Sequence, residues 1–121
     1  MDANNEGDAK MDNSPGQRKS AEAVQRSYFV VTMTLRFNSM DEVRGRAVQD
    51  LLAHLTRSRE LHDQGVLLMA GVFHGEPDEP LTTMGILVSR EAAEDYTHND
   101  PFVLSRTVLH WELREWANMF A

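Results

Sequence analysis

Five histidines and no cysteine bound the chemistry open to this chain of 121 residues. Proton transfer is available, whereas thiol nucleophiles, thiolate ligands and disulfides are not. His54, His62, His74, His98 and His110 lack the close ligand spacing of a metal site, such as two histidines at i and i+4 with a glutamate between them. The glycines are scattered, with neither a phosphate-cradling nor a dinucleotide pattern. No metal or cofactor is therefore expected. Among the histidines, His54 lies on the flank of an apolar helical stripe, about 60° from Leu51 around the helix axis. Asp100 stands directly before Pro101, the expected N-cap of a short helix and one account of its presence. Arg36, at the end of an apolar strand, could meet an anionic ligand or a surface acid. Ser89 could contact a ligand or cap the helix that follows it. His62-Asp63 precedes Gly65, where a cation suits the helix C-terminus.

The elements that must position these side chains can be read from periodicity. Tyr28 to Phe37 alternates with period two and is rich in β-branched and aromatic residues, so it is a strand. Phe29, Val31, Met33, Leu35 and Phe37 form a wholly apolar face that should lie against helices. Ser39-Met40-Asp41-Glu42 is a capping box. It opens a long amphipathic helix running to Gln64, with Ala47, Val48, Leu51, Leu55 and Leu61 near one face. Gly45 is its weak point, costing about 1 kcal/mol relative to alanine. Gly65 should end it, because a positive φ is cheap for glycine. Val66 to Phe73 is almost continuously apolar and reads as a central strand. A turn-rich segment of seven residues, 74–80, then joins it to a strand over Thr82–Ser89 as an antiparallel hairpin. Gly85 within that strand marks a close backbone approach.

Ser89 caps a second helix over Arg90–His98, and Pro101 starts a further helical turn to Ser105. Thr107 to Trp116 is the fourth strand. The order is β-α-β-β-α-β, an α+β ferredoxin-like plan: a four-stranded antiparallel sheet with helices on one face. Its other face, carrying residues such as Tyr28, Val30 and Trp116, is expected to meet a second copy of the chain, giving a homodimer.

The formal charge is −7. Residues 1–27 hold five acids and four bases, leaving 14 acids against 8 bases in the remainder. That balance repels phosphate backbones, so nucleic acid is not an expected partner. No apolar run approaches the roughly 20 residues of a membrane span, and the N-terminal stretch is no signal peptide, so a soluble, cytoplasmic protein is expected. Residues 1–26 carry almost nothing to bury and read as a disordered tail, with the folded domain over 27–121.

Three stretches resemble the YciI-like (YCII-related) family of the dimeric α+β-barrel superfamily. They are His54-Leu55 followed by Leu61 and Gly65 to Gly71; Ser89-Arg90-Glu91-Ala92-Ala93; and Asn99-Asp100-Pro101-Phe102-Val103. Trp111 to Trp116 resembles the end of the same domain. The resemblance implies a histidine on the first helix facing an aspartate of the Asp-Pro-Phe motif, here His54 and Asp100, as a catalytic pair. A carboxylate on one ring nitrogen would fix the tautomer and leave the other nitrogen to exchange a proton with a substrate. Such chemistry suits a cofactor-independent lyase or isomerase acting on a small, cyclic or carboxylated molecule. The alternative is a non-catalytic dimeric module that binds a ligand or partner, with His54 and Asp100 structural.

Overall fold

The computed structural model describes residues 26–120. The expected tail lies, but for Arg26, outside them. Contacts set apart a body, Tyr28–Trp116, that carries all that follows.

Alternation builds the centre of the sheet. Strand β1 (Ser27–Leu35) buries Val31, Met33 and Leu35, and its other side is half-buried. Strand β3 (Thr82–Leu87) pairs antiparallel with β1, setting Val31 against Gly85 and Met33 against Thr83. Strand β2 (Leu67–Val72) pairs antiparallel with β3, and β4 (Val108–Ala117) flanks β1. The order β2-β3-β1-β4 is that of the ferredoxin-like α+β plan, with a four-stranded antiparallel sheet.

The apolar run from Val66 to Phe73, expected as a central strand, is instead an edge strand, and after Leu67 all of its residues to Val72 are exposed. A register shift between Leu67 and Met69 displaces Leu68 from the ladder. Apolar content alone does not report whether anything covers a strand, which is why its neighbours could not be read from the run.

The helices pack on one side. The expected single helix is two: α1 (Met40–Arg46) and α2 (Val48–Asp63), broken at Ala47, whose φ is −147° and ψ 42°. Gly45, the weak point, lies in the last turn of α1. Ser39 Oγ accepts from the Glu42 amide at 3.1 Å, and Glu42 reaches back to the Asn38 amide at 2.7 Å, one residue earlier than an ideal capping box. At the far end of α2, the Gly65 amide donates to His62 O and the Val66 amide to Leu61 O, with Gly65 at φ 76°. This double bond is a Schellman closure, and it needs the positive φ that glycine supplies.

Helix α3 (Arg90–His98) is capped by Ser89, and the short α4 (Pro101–Leu104) by Asp100. The core joins Val31, Met33 and Leu35 to Val43 of α1, Ala93 and Tyr96 of α3 and Phe102 of α4. No residue of α2 is fully buried. Its Leu51 and Leu61 pack against the core while only partly buried, and the hollow beside them holds the candidate site.

Candidate functional site

Asp100 is the most enclosed acid of the body, 1% exposed. Its two oxygens have separate tasks. Oδ2 accepts from the Phe102 amide at 2.9 Å, the N-cap bond of α4. Oδ1 lies 2.5 Å from Nδ1 of His54, a residue 46 positions earlier. When Asp100 is ionised it offers only acceptors, so Nδ1–H donates in this contact, and in the neutral ring Nε2 is then left with a lone pair. The imidazole side chain is 16% exposed, and its ring packs against Phe102 with centroids 5.0 Å apart. Among the described residues Nε2 has no hydrogen-bond partner. Structural and chemical accounts of Asp100 therefore do not compete: the cap uses one oxygen and the histidine the other.

His54 lines a cavity of about 260 Å³ under α2. Leu35, Val43 and Leu51 give it an apolar lining, joined by Ala70 and Val72 of the edge strand and by Ser58 and Tyr96. An apolar hollow with few convergent polar groups is the usual form of a small-molecule site. Tyr96 is 4% exposed. Burial and the neighbouring Asp100 charge push its phenol above the ordinary value of 10.0, with hydrogen bonding from Ser58 and the Arg57 charge opposing them.

Gly85 lies against this ring, and the tight neighbour there is Leu67. A Cβ there would meet Leu67 Cδ1 at 3.3 Å and the Tyr96 ring at 3.6 and 3.7 Å, the close approach expected at this position. The guanidinium of Arg57 covers the ring at 5.7 Å from its centroid and donates to Tyr96 O at 3.0 Å and to Asp95 O at 2.9 Å.

The structure thus brings His54 and Asp100 together and places Arg36 and Ser89 elsewhere. Arg36 donates from Nε and Nη2 to the carbonyl of Arg106 at 3.1 and 2.6 Å. Arg106 has φ 64°, so Arg36 holds a left-handed turn between α4 and β4. Ser89 Oγ accepts from the Ala92 amide at 3.1 Å as the α3 cap. Neither lines the cavity. Tyr96 and Ser58 were missed in the sequence. The available signal for Tyr96 was its place three residues after Ala93 on the inner face of α3, opposite Gly85. Among the described residues no three His, Asp or Glu side chains group as a metal site would require.

No family model matches the chain, and no curated protein matches it. Solved structures do. The dehydrochlorinase TftG of Burkholderia phenoliruptrix, which acts on 5-chloro-2-hydroxyhydroquinone and was solved with 2,5-dihydroxybenzoquinone, aligns at TM-score 0.54 and 18% identity, covering 74% of this chain and 92% of that one. The likeness shows the fold. SnoaB, a cofactor-independent oxygenase of Streptomyces nogalater, aligns at TM-score 0.46 and 9% identity over 80% of this chain and 96% of its own. A dimeric ferredoxin-like protein of unknown function from Bacteroides fragilis aligns at TM-score 0.41 and 11% identity over 75% and 94%. What the likeness to TftG shows is the ferredoxin-like α+β fold. Among the described residues no helix is long and apolar enough to cross a membrane.

Proposed function

We propose that this chain is a small-molecule enzyme of the YciI-like type in which His54 and Asp100 form a proton-transfer pair, with no nucleophile required. The observation that carries this reading is the 2.5 Å contact of Nδ1 with a buried carboxylate at the wall of an apolar cavity. With Nδ1–H held by Asp100, Nε2 takes a proton from an acidic C–H or O–H of a bound molecule. The electron pair left behind forms a new double bond as a leaving group departs with its own bonding pair. Asp100 stabilises the resulting imidazolium, which then returns the proton to solvent. Where no group leaves and the proton is returned to a different atom of the same molecule, the reaction is instead an isomerisation. One such group supplies about 10²–10⁴-fold. The dehydrochlorination ascribed to TftG is an elimination of this kind.

The working unit in this reading is a homodimer. Val30, Thr32, Met84, Ile86 and Trp116, with Glu112, Arg114 and Glu115, line a broad hollow on the sheet face opposite the helices, a mixed surface whose apolar part is suited to a second copy. The test is a thermal-shift screen of small hydroxylated and halogenated rings, 5-chloro-2-hydroxyhydroquinone among them, on wild type and His54→Ala. Hits should stabilise wild type, lose their effect in His54→Ala, and include one that releases halide or shifts a proton. Hits unchanged in the variant would remove His54 from the site.

A further inference from the structure

The Tyr96 hydroxyl has no role in the proton transfer just described, yet its surroundings are built. The ring is fixed on one side by Gly85 and Leu67 and covered by the Arg57 guanidinium, so its hydroxyl has little freedom to move. Among the described residues no hydrogen bond of 3.5 Å or shorter closes on that hydroxyl, although the residue is 4% exposed and lines the cavity. Ser58, whose side chain hydrogen-bonds toward the phenol, lines the same hollow. With Ser58 acting as donor toward the phenol oxygen, the buried O–H itself has no acceptor among the described residues, and a guest that accepts from it supplies one.

Charge narrows the class of guest. Among the described residues no arginine or lysine lines the cavity. Arg57, the nearest cation to Tyr96, is engaged by the Asp95 carboxylate at 3.1 Å and by two backbone carbonyls. The buried charge beneath the cavity is the Asp100 carboxylate, which disfavours a second anion. We infer that Tyr96 is the oxygen-recognition group of this cavity, and that the molecule taken is an uncharged, mostly apolar ring bearing a carbonyl or phenolic oxygen. This rests on the reading of the cavity as the His54 site and narrows it, removing the carboxylated compounds that the sequence left open. Burial and Asp100 keep the phenol protonated, so Tyr96 acts as a donor to the guest's oxygen and His54 as its proton acceptor.

The experiment titrates the full chain with acetophenone, ethylbenzene and benzoate, following the His54 ring and backbone amide signals by NMR. The three probes share a ring; the first offers a neutral acceptor oxygen, the second none, and the third a charge. Wild type should take acetophenone about 5- to 10-fold more tightly than ethylbenzene, the worth of one hydrogen bond, and more tightly than benzoate. In Tyr96→Phe, which keeps the ring against Gly85, the acetophenone advantage should vanish while ethylbenzene affinity stays. Equal wild-type affinity for acetophenone and ethylbenzene overturns the inference and needs no variant. So does a preference that survives in Tyr96→Phe, or tighter binding of benzoate. If the probes move the His54 signals but show no such preference, the inference on Tyr96 fails and the cavity reading stands. If none of them moves the His54 signals, both fall.

Discussion

Two histidines on α2, eight residues apart, engage the same ring nitrogen in different ways. His54 gives Nδ1 to the Asp100 carboxylate at 2.5 Å, within a largely enclosed contact. His62 directs Nδ1 to the Leu67 carbonyl at 2.9 Å, on an exposed residue beside the turn that ends the helix. A carboxylate stabilises an imidazolium as a full charge; a carbonyl offers only a dipole. The partner of His54 comes from 46 residues away, that of His62 from five. What separates a proton-transfer candidate from a turn fastener is thus the second group, and the fold supplies it.

The comparison breaks most visibly in turnover. His54→Ala should reduce the rate on any substrate found by the screen by about 10²–10⁴-fold, and His62→Ala by less than about twofold, the span of one weak surface contact. Steady-state rates of the two variants on one substrate check this. Equal losses would mean that position along α2, rather than the Asp100 partnership, carries the effect.

Asp100 gives the next largest effect, in stability. Asp100→Ala removes the α4 cap and leaves Nδ1–H without an acceptor, for a loss of about 2–4 kcal/mol. Asp100→Asn is the sharper variant. An amide has one acceptor oxygen where the carboxylate uses two, so keeping the Phe102 bond leaves its NH2 facing Nδ1, which must then become the acceptor and move the ring proton to Nε2. The expected cost is about 1–2 kcal/mol, measured by urea unfolding. An Asp100→Asn protein as stable as wild type would mean that a neutral donor in the Nε2–H tautomer replaces the charged contact at no cost.

Local signals made much of this fold readable. The alternation of β1, the caps at Ser39, Ser89 and Asp100, and the stop at Gly65 each depend on neighbours within a few residues, and each lies where the sequence indicated. Gly85 was legible as a close approach, but not what approaches it, because Tyr96 arrives through tertiary packing. The edge position of β2 was hidden by its apolar composition, and the break at Ala47 by an unbroken helical period. Arg36 was read toward an anionic ligand or a surface acid, because the left-handed turn at Arg106 whose carbonyl it holds carries no glycine to announce it. His54 and Asp100 were brought forward by resemblance, since their meeting is a product of the whole sheet and helix arrangement and has no local signature.

Tyr96 separates the two histidine environments by pH. Its phenol is raised above 10.0 in the folded chain by burial and by Asp100. Above about pH 10 the unfolded chain releases this proton while the folded chain retains it. The unfolded state then binds fewer protons, so stability is complete below the unfolded value and falls as pH rises through and beyond it. Tyr96→Phe should flatten part of that fall, visible as a smaller difference in unfolding free energy between about pH 8 and about pH 11. An unchanged alkaline slope would mean that the phenol is as well solvated folded as unfolded, which would weaken the enclosure on which the His54 side depends. Nothing at the His62 side contributes to this window through Tyr96.

The smallest effect is expected at His62, where two contributions oppose one another. His62→Ala loses the bond from Nδ1 to the Leu67 carbonyl, about 0.5–1.5 kcal/mol. Alanine is also the better helix former by roughly 0.5 kcal/mol in the last turn of α2. The Gly65 and Val66 amides still close the turn on His62 O and Leu61 O, because those acceptors belong to the backbone and survive the substitution. The net change should be a loss of no more than about 1 kcal/mol, read from urea midpoints at a constant m-value. A loss above about 2 kcal/mol would show that the turn leans on the imidazole after all. The contrast between a carboxylate partner and a carbonyl partner would then no longer account for how differently the two positions respond.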